Sequence, residues 1–286
     1  MKKNNIGSIS VISTPIGNLE DITIRAIRTL KEVDFIACED TRITLKLCNK
    51  HEINCKGKLI SYHEHNSKNM IPYIMNRIKD GFNIGVVTDA GTPLISDPGY
   101  KLIKAALDDS IIVKSIPGPS AVTAALSISG ISTDQFMFVG FLPKKASLRE
   151  RKLSSLNNHE SSIIIFENAR RLNKLLLELY ELLGNRNISI VREITKVYEE
   201  NIRGKLSDTI NLLKDKSIKG ELVILIEKPE TNKDNYTDEE ILAMLKVNIP
   251  KIGVSRASKK ISKITSIKSD YIYKLAITLN KATSKI

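Results

Sequence analysis

Three loops rich in glycine, proline and small hydroxyl residues hold the residue types best suited to binding in this 286-residue chain. They run over Thr14–Asp21, Thr88–Gly99 and Pro117–Ala121, and each follows a short β-rich run. Glycine and proline fix tight turns, and glycine lets a ligand approach bare backbone. A single such loop is usually an ordinary strand-to-helix turn. Three together predict a binding cleft, because open α/β sheets bind ligands at the carboxyl ends of their parallel strands.

The spacing of the 14 glycines excludes the common nucleotide-binding fingerprints. No G-x-G occurs, which excludes the Rossmann dinucleotide fingerprint and the glycine-rich loop of ordinary Rossmann-type methyltransferases. The Gly-Lys pairs, Gly57-Lys58 and Gly204-Lys205, lack the Ser or Thr that follows in a phosphate-binding P-loop. A nucleotide-type ligand would have to be held in another way.

The elements that would position these loops alternate between strands and helices. In the first 140 residues this alternation predicts a largely parallel sheet with helices on its faces. The predicted strands are Ser8–Ser13, Asp34–Cys38, Lys58–Ser61, Ile84–Thr88, Ile111–Ile116 and Phe136–Val139, and the predicted helices are Thr23–Lys31, Lys68–Lys79, Tyr100–Asp108 and Ala121–Ile128. A second α/β series, from Ser162–Phe166 to Glu221–Glu227, has hairpin-like strand spacing towards its end.

This organisation predicts an N-terminal α/β domain over residues 1–142 and a C-terminal α/β domain over 143–230. Gly140–Lys145, with the polar sequence after it, is interpreted as a linker, and so is the polar stretch Lys228–Glu240. A small helix-turn-helix-like module is predicted over 238–286, with helices Asp238–Lys246, Ser255–Ile264 and Ser269–Leu279.

Positive charge is concentrated at the C-terminal end of the chain. The net charge is +12, and nine basic residues against one acid place +8 of it in the last 36 residues. A basic module on a near-neutral body indicates a polyanionic partner, most simply nucleic acid. A compositional bias towards Lys, Ile and Asn would give the same excess, and charge alone does not decide between the two.

Cysteine usage and hydropathy favour a cytoplasmic protein. Three cysteines are too few, and odd in number, for a disulfide framework, and Cys48, His51 and Cys55 are interpreted as structural or incidental. No apolar run approaches the roughly 20 residues that a membrane helix needs. The basic start is not followed by an apolar stretch, which argues against a signal peptide.

At these loops the chain resembles the tetrapyrrole methylase-like superfamily of S-adenosylmethionine (SAM) methyltransferases. The Thr88–Gly99 run is the most diagnostic match. The other matching segments are Thr14–Asp21 with Arg25-Ala26, Glu39–Arg42, Tyr62–Asn66, Pro117–Ala121 with Ser129–Ile131, Phe138–Lys145 and Arg192–Glu200. Similarity is strong over residues 8–227 and loose over the basic tail. Phe166–Arg171 departs from the family pattern except at Glu167 and Arg171, and Ile194 stands where Leu is usual.

The resemblance implies a two-domain α/β fold with SAM in the interdomain cleft, a small C-terminal helical module and a homodimer. Within the superfamily it implies SAM-dependent 2′-O-methylation of a cytidine ribose in the decoding region of 16S rRNA in the small ribosomal subunit. Carried over by motif, Ile95 and Leu142 would enclose the adenine. The full implied cofactor set is Pro15, Asp89, Gly91, Thr92, Ile95, Ser120, Ala121 and Leu142. No metal is expected, because SAM chemistry needs none.

Methyl transfer to a ribose hydroxyl is an in-line displacement in which alignment can account for about 7–11 kcal/mol of the barrier. The hydroxyl is a weak acid, so a general base or a cation that lowers its pKa would help. The matched motifs offer Asp40, Glu193 and Lys196. We favour Asp40 with Arg42, since this pair follows the second predicted strand. A helix-capping ion pair is an equally good interpretation of the two residues.

Basic residues outside the cleft are candidates for RNA contact. They are Lys144 and Lys145, which a solvated linker explains equally well, and Arg256, Lys259 and Lys260 in the basic tail. His63 and His65 flank Glu64 and are expected to be polar loop residues near the substrate rather than metal ligands. Two other functions stay open: a methylase of a tetrapyrrole precursor, and a non-catalytic RNA-binding assembly factor.

Overall fold

The computed structural model describes residues 6–157, 159–229, 236–265 and 267–283. The chain divides into two compact units, the first ending at Lys228 and the second beginning at Pro229. Part of the predicted linker Lys228–Glu240, residues 230–235, lies outside the described residues.

The first sheet has five strands, and all of its pairs are parallel, as predicted. Its strands are β1 (Ile9–Ile12), β2 (Phe35–Cys38), β3 (Leu59–Ser61), β4 (Ile84–Val86) and β5 (Val113–Ile116), in the order β3-β2-β4-β1-β5. In register, Val11 of β1 pairs with Val86 of β4 on one side and with Ser115 of β5 on the other. The three glycine- and proline-rich loops follow β1, β4 and β5, so they leave three adjacent strands at one edge.

Helices cover both faces of this sheet. The helices of this part of the chain are α1 (Ile24–Glu32), α2 (Thr41–Lys50), α3 (Ser67–Lys79), α4 (Tyr100–Asp108) and α5 (Ala121–Ser129). Buried residues of α3 and α4, such as Ile74 and Leu102, pack on one face, and those of α1 and α2, such as Leu30 and Cys48, pack on the other. Helix α5 instead packs its Val122 and Leu126 against the second sheet.

The second sheet is mixed. Its strands are β6 (Phe136–Phe141), β7 (Ser162–Asn168), β8 (Asn187–Arg192), β9 (Glu200–Lys205) and β10 (Glu221–Ile226), in the order β6-β7-β10-β8-β9. Only the β6–β7 pair is parallel. Helices α6 (Ala146–Leu156), α7 (Leu172–Leu183) and α8 (Leu206–Leu213) share one core with this sheet.

Strand β6 corrects the predicted boundary between the two α/β parts. The expectation that Phe136–Val139 ends the first part is wrong, because this strand pairs with β7 in the second sheet. The predicted boundary after residue 142 therefore lies beyond the first strand of the second sheet. Sheet membership depends on a distant partner strand, and local periodicity carries no information about that partner.

The segment predicted as a linker is a fixed turn between β6 and α6. The guanidinium of Arg149, a buried side chain, donates from Nη1 to the carbonyls of Pro143 (3.1 Å) and Lys144 (3.0 Å). Glu178 on α7 binds the same guanidinium at 2.5 and 2.6 Å. Arg171 adds a hydrogen bond to the carbonyl of Leu142 (3.3 Å). The turn is thus anchored to the body of the second sheet.

The second unit is a small three-helix module, as predicted. It consists of α9 (Asp238–Ile252), α10 (Val254–Thr265) and α11 (Ser269–Thr283). Helix α9 starts with a capping box between Thr237 and Glu240, and six small or aliphatic residues form the buried core. These residues are Ile241, Leu245, Ala257, Ile261, Ile272 and Ala276.

Cysteine pairing differs from what the cysteine count suggested. Cys48, near the end of α2, and Cys55 in the following loop form a disulfide with a Cα–Cα distance of 6.7 Å. Cys38 is buried and free. Within the described ranges, no helix has both the length and the apolar character needed to cross a membrane.

Candidate active site

The loops after β1, β4 and β5 are joined by hydrogen bonds into one continuous edge. The backbone N–H of Thr14 donates to the carbonyl of Gly91 at 2.9 Å, and that of Gly91 donates back at 3.1 Å. The hydroxyls of Ser13 and Thr92 lie 3.0 Å apart, and Thr92 donates to the carbonyl of Pro119 at 3.1 Å. The neighbouring positions of the three strands therefore bring together the loops that the sequence singled out.

A cavity of about 290 Å³ lies between this edge and the second sheet. The first-sheet side supplies Ile16, Ala90, Gly91, Thr92, Ile95, Ser96, Asp97, Ser120, Ala121 and Val122. The other side supplies Phe141, Phe166, Glu167, Asn168, Val191, Ile194, Lys196, Glu221, Leu222 and Val223. A mainly apolar lining with a few polar groups is typical of a small-molecule or cofactor site.

The loop after β1 touches the loop after β8 at one end of this cavity. The backbone N–H of Asn18 donates to the hydroxyl of Thr195 at 3.1 Å. A Cβ added at Gly17 would lie 2.6 Å from Thr195 Oγ1 and 2.6 Å from Lys196 Cγ. The close approach of the two loops therefore requires glycine at position 17.

Residues with strained backbone conformations lie in the loops that border the cavity. Among the described residues, six non-glycine residues have positive φ, and four of them are Leu94, Ser96, Glu193 and Thr195. Their φ angles of 48° to 74° fall in the left-handed region, which costs free energy for residues with a Cβ. Such strain persists only where the surrounding structure enforces it and often accompanies a binding site.

Two large apolar side chains that line the cavity are exposed to solvent. Phe141 is 62% exposed and Ile95 is 45% exposed. The ring of Phe166 meets that of Phe141 edge-on, with centroids 5.6 Å apart, which fixes its orientation. Exposed apolar surface inside a concavity is well suited to a flat aromatic ligand.

Lys196 brings one positive charge to the cavity. Its ammonium lies 3.0 Å from Glu193 Oε1 and 2.9 Å from Glu221 Oε2. Partial burial opposes the charge, but these two hydrogen bonds raise the pKa of Lys196 overall. The backbone N–H of Glu221 binds Glu193 and, with Lys196, lowers the pKa of Glu193. Glu193 is therefore a weak base, and Lys196 remains a cation.

Asp40 caps a helix and lies outside the lining of the cavity. Its carboxylate accepts the backbone N–H of Arg42 at 2.8 Å at the start of α2 and binds the Arg42 guanidinium through both oxygens. The hydrogen bonds from Arg42 lower the pKa of Asp40 to about 2. The carboxylate of Asp89 accepts the backbone N–H of Asp40 at 3.0 Å and ties the ends of β2 and β4 together. The helix-capping interpretation describes Asp40 and Arg42 better than the general-base one.

Several residues proposed for the cofactor and for catalysis line the cavity, and others lie next to it. Those on the lining are Gly91, Thr92, Ile95, Ser120, Ala121 and Lys196. Pro15, Asp89 and Leu142 are absent from the lining, where their chain neighbours Ile16, Ala90 and Phe141 stand instead.

Leu142 cannot enclose a ligand together with Ile95. It is buried in the core that the second sheet shares with α6, α7 and α8, so Phe141 takes its place at the cavity. Adjacent residues of an extended segment point in opposite directions, which explains a one-residue error.

The side of the cavity formed by the second sheet was largely missed by sequence reasoning. Phe166, Glu167 and Asn168 lie at the end of β7, where the chain departs from the family pattern. Glu167 is buried and pairs with Arg171 at 3.1 Å, so the two residues kept from that pattern are in contact. Glu167 and Arg171 match the family pattern inside a segment that otherwise departs from it. This match was the indication in the sequence that the segment contributes to the site.

A second cavity of about 440 Å³ adjoins the first. His63, Glu64, His65, Tyr100 and Lys101 are among its lining residues. Two residues, Ser96 and Asp97, line both cavities. Burial, with repulsion from Glu39 and Asp89, raises the pKa of Asp97 to about 6 against an opposing hydrogen bond from Thr88. Sequence reasoning included Asp97 in the Thr88–Gly99 run without giving it a role.

The candidate RNA-contact residues are exposed. Lys144 and Lys145 project from the anchored turn after β6. On α10, Arg256, Lys259 and Lys260 are exposed, whereas Ala257 and Ile261 are buried. Residues three and four apart share a helix face, so the three cations form one basic face of α10.

Residues 8–210 match the family described as Tetrapyrrole (Corrin/Porphyrin) Methylases. The chain belongs to the tetrapyrrole methylase family, which confirms the resemblance drawn from its loops. It is 44% identical over 226 residues to Ribosomal RNA small subunit methyltransferase I of Halalkalibacterium halodurans, covering 79% of this chain and 78% of that protein. The protein of the same name from Thermotoga maritima is 44% identical over 225 residues, covering 79% of this chain and 100% of that protein.

The fold is shared with a solved methyltransferase. Uroporphyrin-III C-methyltransferase from Thermus thermophilus, solved in complex with S-adenosylhomocysteine, superposes with a TM-score of 0.55 at 17% identity. The superposition covers 77% of this chain and 97% of that one. At this identity the likeness concerns the fold, and it confirms the predicted two-sheet α/β architecture.

Proposed function

We propose that this protein transfers a methyl group from SAM to the 2′-oxygen of a cytidine ribose in 16S rRNA of the small ribosomal subunit. The observation that carries this proposal is the cavity closed by the bonded loops after β1, β4 and β5, in a chain 44% identical to proteins named for small-subunit rRNA methylation.

The cavity suits SAM in shape and chemistry. Gly91, with φ of +84°, leaves backbone accessible, and a Cβ there would approach Ile16 Cγ2 to 3.3 Å. Backbone and hydroxyl groups at Thr92 and Ser120 would bind the polar groups of SAM, and Ile95 with Phe141 would contact its adenine ring. When bound, SAM supplies an activated methyl group on a sulfonium. S-adenosylhomocysteine in the Thermus relative supports this assignment, and the reaction as proposed uses no metal.

Alignment is the main contribution that we assign to the protein. Holding the ribose hydroxyl in line with the methyl group turns a bimolecular reaction into an effectively unimolecular one. Because the leaving group of SAM is already activated, we expect this alignment to be the largest contribution to the rate. The strained backbone at Leu94, Ser96, Glu193 and Thr195 supports a preorganised site. The apolar side chains around it would exclude water.

The basic face of α10 is proposed to bind the phosphate backbone of the RNA. Arg256, Lys259 and Lys260 point to one side of a helix whose opposite side is buried. Lys144 and Lys145 would add phosphate contacts from the turn after β6. Such contacts position an RNA without reading its sequence.

We also infer that the protein acts as a homodimer in the cytoplasm. The loop after β8 exposes Val197 (93%) and Tyr198 (72%), apolar surface of the kind that subunit interfaces cover. Light scattering on the purified protein tests the dimer, and a monomeric mass would contradict it.

A radiolabelled-methyl assay tests the proposed function. Purified protein is offered labelled SAM with small ribosomal subunits from cells that lack it and, separately, with a tetrapyrrole precursor. We expect label in 16S rRNA. Label in the tetrapyrrole would favour the alternative enzyme, and RNA binding without SAM binding by calorimetry would favour an assembly factor.

A further inference from the structure

We propose that Asp97 is the general base of the reaction and that the second cavity receives the target nucleotide. This inference rests on the function proposed above and assigns the proton-accepting residue and the substrate-binding site, both of which that proposal leaves open.

The position of Asp97 is the first argument. Among the described residues, only Ser96 and Asp97 line both cavities. If SAM occupies the first cavity, a hydroxyl entering from the second must meet the methyl group at this shared wall. A general base has to lie within hydrogen-bond reach of the hydroxyl that it deprotonates.

The surroundings of Asp97 are the second argument. Its carboxyl is partly buried beside Glu39 and Asp89, and Thr88 is its hydrogen-bonding neighbour. The Thr88 hydroxyl donates its proton to Glu39 Oε2 at 3.2 Å, which keeps that second carboxylate close. Burial and like charge both favour the protonated form, so this carboxylate binds a proton more strongly than a solvated one does.

Other carboxylates near the first cavity are poorer candidates. Both oxygens of Asp40 bind the guanidinium of Arg42, and Asp40 lines neither cavity. Glu193 accepts a backbone N–H and the ammonium of Lys196. Glu167 is paired with Arg171. Each of these carboxylates is stabilised in its charged form by a cation, whereas burial and the neighbouring carboxylates of Glu39 and Asp89 raise the pKa of Asp97.

The second cavity has the chemistry of a nucleotide site. His63 and His65 present imidazoles 6.0 Å apart between ring centroids, and Lys101 adds a cation suited to a phosphate. Within the described part of the chain, Nδ1 of His63 is buried and has no hydrogen-bond partner. A pyrimidine nucleotide of an RNA strand is the class of ligand that we assign to this cavity.

The step balances without a further reagent. The bond between the ribose O2′ and the methyl carbon forms as the sulfur–methyl bond breaks, and the bonding pair stays on sulfur. The sulfonium thereby becomes a neutral thioether. The hydroxyl proton goes to the Asp97 carboxylate and is released to water after the product leaves.

The proposal fixes the sign of the pH dependence. Asp97 accepts a proton only when ionised, so kcat should rise through a pH near 6 and level off above it. Replacing Glu39 by Gln removes a negative charge, lowers the pKa of Asp97 and moves this rise to lower pH. The charged and titratable groups that line the two cavities with Asp97, or act on its carboxyl, are Glu39, Tyr62, His63, Glu64, His65, Asp89, Tyr100, Lys101, Glu167, Lys196 and Glu221.

The test compares Asp97→Asn with wild type on small ribosomal subunits. We expect kcat to fall by about 10²–10⁴-fold, the usual contribution of a general base, with unchanged affinity for SAM by calorimetry. Asp108→Asn is the matched control, since Asp108 is an exposed carboxylate on α4 paired with Lys104. This control should keep wild-type kcat.

Three results would overturn the assignment. They are a kcat of Asp97→Asn within about tenfold of wild type, loss of SAM binding in that variant, or a Glu39→Gln profile that does not move to lower pH. The last measurement decides the question even if Asp97→Asn fails to fold. A wild-type protein that does not methylate rRNA would sink the proposed function itself, which is a different outcome.

Discussion

Gly17 lies where the loops from the two sides of the first cavity touch, and a Cβ there would meet Thr195 Oγ1 and Lys196 Cγ at 2.6 Å. The loop after β1 reaches the loop after β8 there, and the space for a side chain is filled by Thr195 and Lys196. A single methyl group at this point would have to push the two loops apart. The shape of the cavity therefore depends on the absence of a side chain at one position.

Gly17→Ala should weaken SAM binding while the protein stays folded. Overpacking of this kind costs about 1–3 kcal/mol, so the dissociation constant should rise by roughly 5- to 150-fold if that cost falls on the form that binds SAM. Isothermal titration calorimetry measures it.

Gly130→Ala is the control for this change. Gly130 has φ of +75° with no atom within 4 Å of an added Cβ, so the change strains the backbone without a clash and outside the cavity. It should lower stability and leave SAM affinity unchanged. Equal affinities for SAM in all three proteins would contradict the role given to Gly17.

The β6–α6 turn is the element that places Phe141 at the cavity. Arg149 holds this turn from the body of the second sheet, bound to two carbonyls and to Glu178. A buried arginine of this kind leaves a carboxylate and two carbonyls without their donor when it is removed.

Arg149→Ala should lower the free energy of unfolding by about 3 kcal/mol, because it breaks a largely buried ion pair. Urea denaturation followed by circular dichroism measures this. Lys104→Ala removes one partner of an exposed ion pair and serves as the control, with little expected change. Urea midpoints that are similar for Arg149→Ala and Lys104→Ala would show that Arg149 does not anchor the turn.

Local sequence signals predicted most elements of the first unit, and the errors are one strand assigned to the wrong sheet and two helices, α2 and α6, that were missed. The bounds of α4 were predicted to the residue, because apolar residues recur there at helical spacing. The sheet to which β6 belongs could not be predicted, since it depends on pairing with β7. Helix α2 was missed although its cap, Asp40, had been noted as one possibility.

The residues of the candidate site that lie in loops could be predicted from the sequence, and those that lie on strands of the second sheet could not. Thr92 and Ser120 were found because their loops have unusual composition. Val191 and Val223, on strands of the second sheet, look like any buried strand residue in the sequence. The role of Asp97 needed the two cavities to be seen side by side.

At the scale of the whole molecule, the α/β unit ends at Lys228 and the helical module begins at Pro229. The Thermotoga relative is matched along its entire length while 79% of this chain is covered. We therefore assign donor binding to the α/β unit and part of the RNA affinity to the module.

Reversing the charge of Arg256, Lys259 and Lys260 to Glu should weaken binding to small ribosomal subunits. It should also reduce the magnitude of the slope of log K against log salt concentration by about 2–3. Each lost phosphate contact removes roughly 0.7–0.9 from that slope. Filter binding at several salt concentrations measures both effects, and SAM affinity should stay at the wild-type value.

Reversing three exposed lysines of the first unit, Lys46, Lys50 and Lys56, gives a variant of equal net charge. Binding and slope close to wild type are expected for it. The same loss in both variants would mean that net charge alone, rather than the basic face of α10, determines RNA affinity.

The position of the transferred methyl group tests the central claim most directly. Small ribosomal subunits from cells without this protein are incubated with it and isotopically labelled SAM, and the rRNA is digested and mapped by mass spectrometry. We predict label on the ribose of a single cytidine in 16S rRNA. Label on a base, or rRNA without any label, would contradict the account.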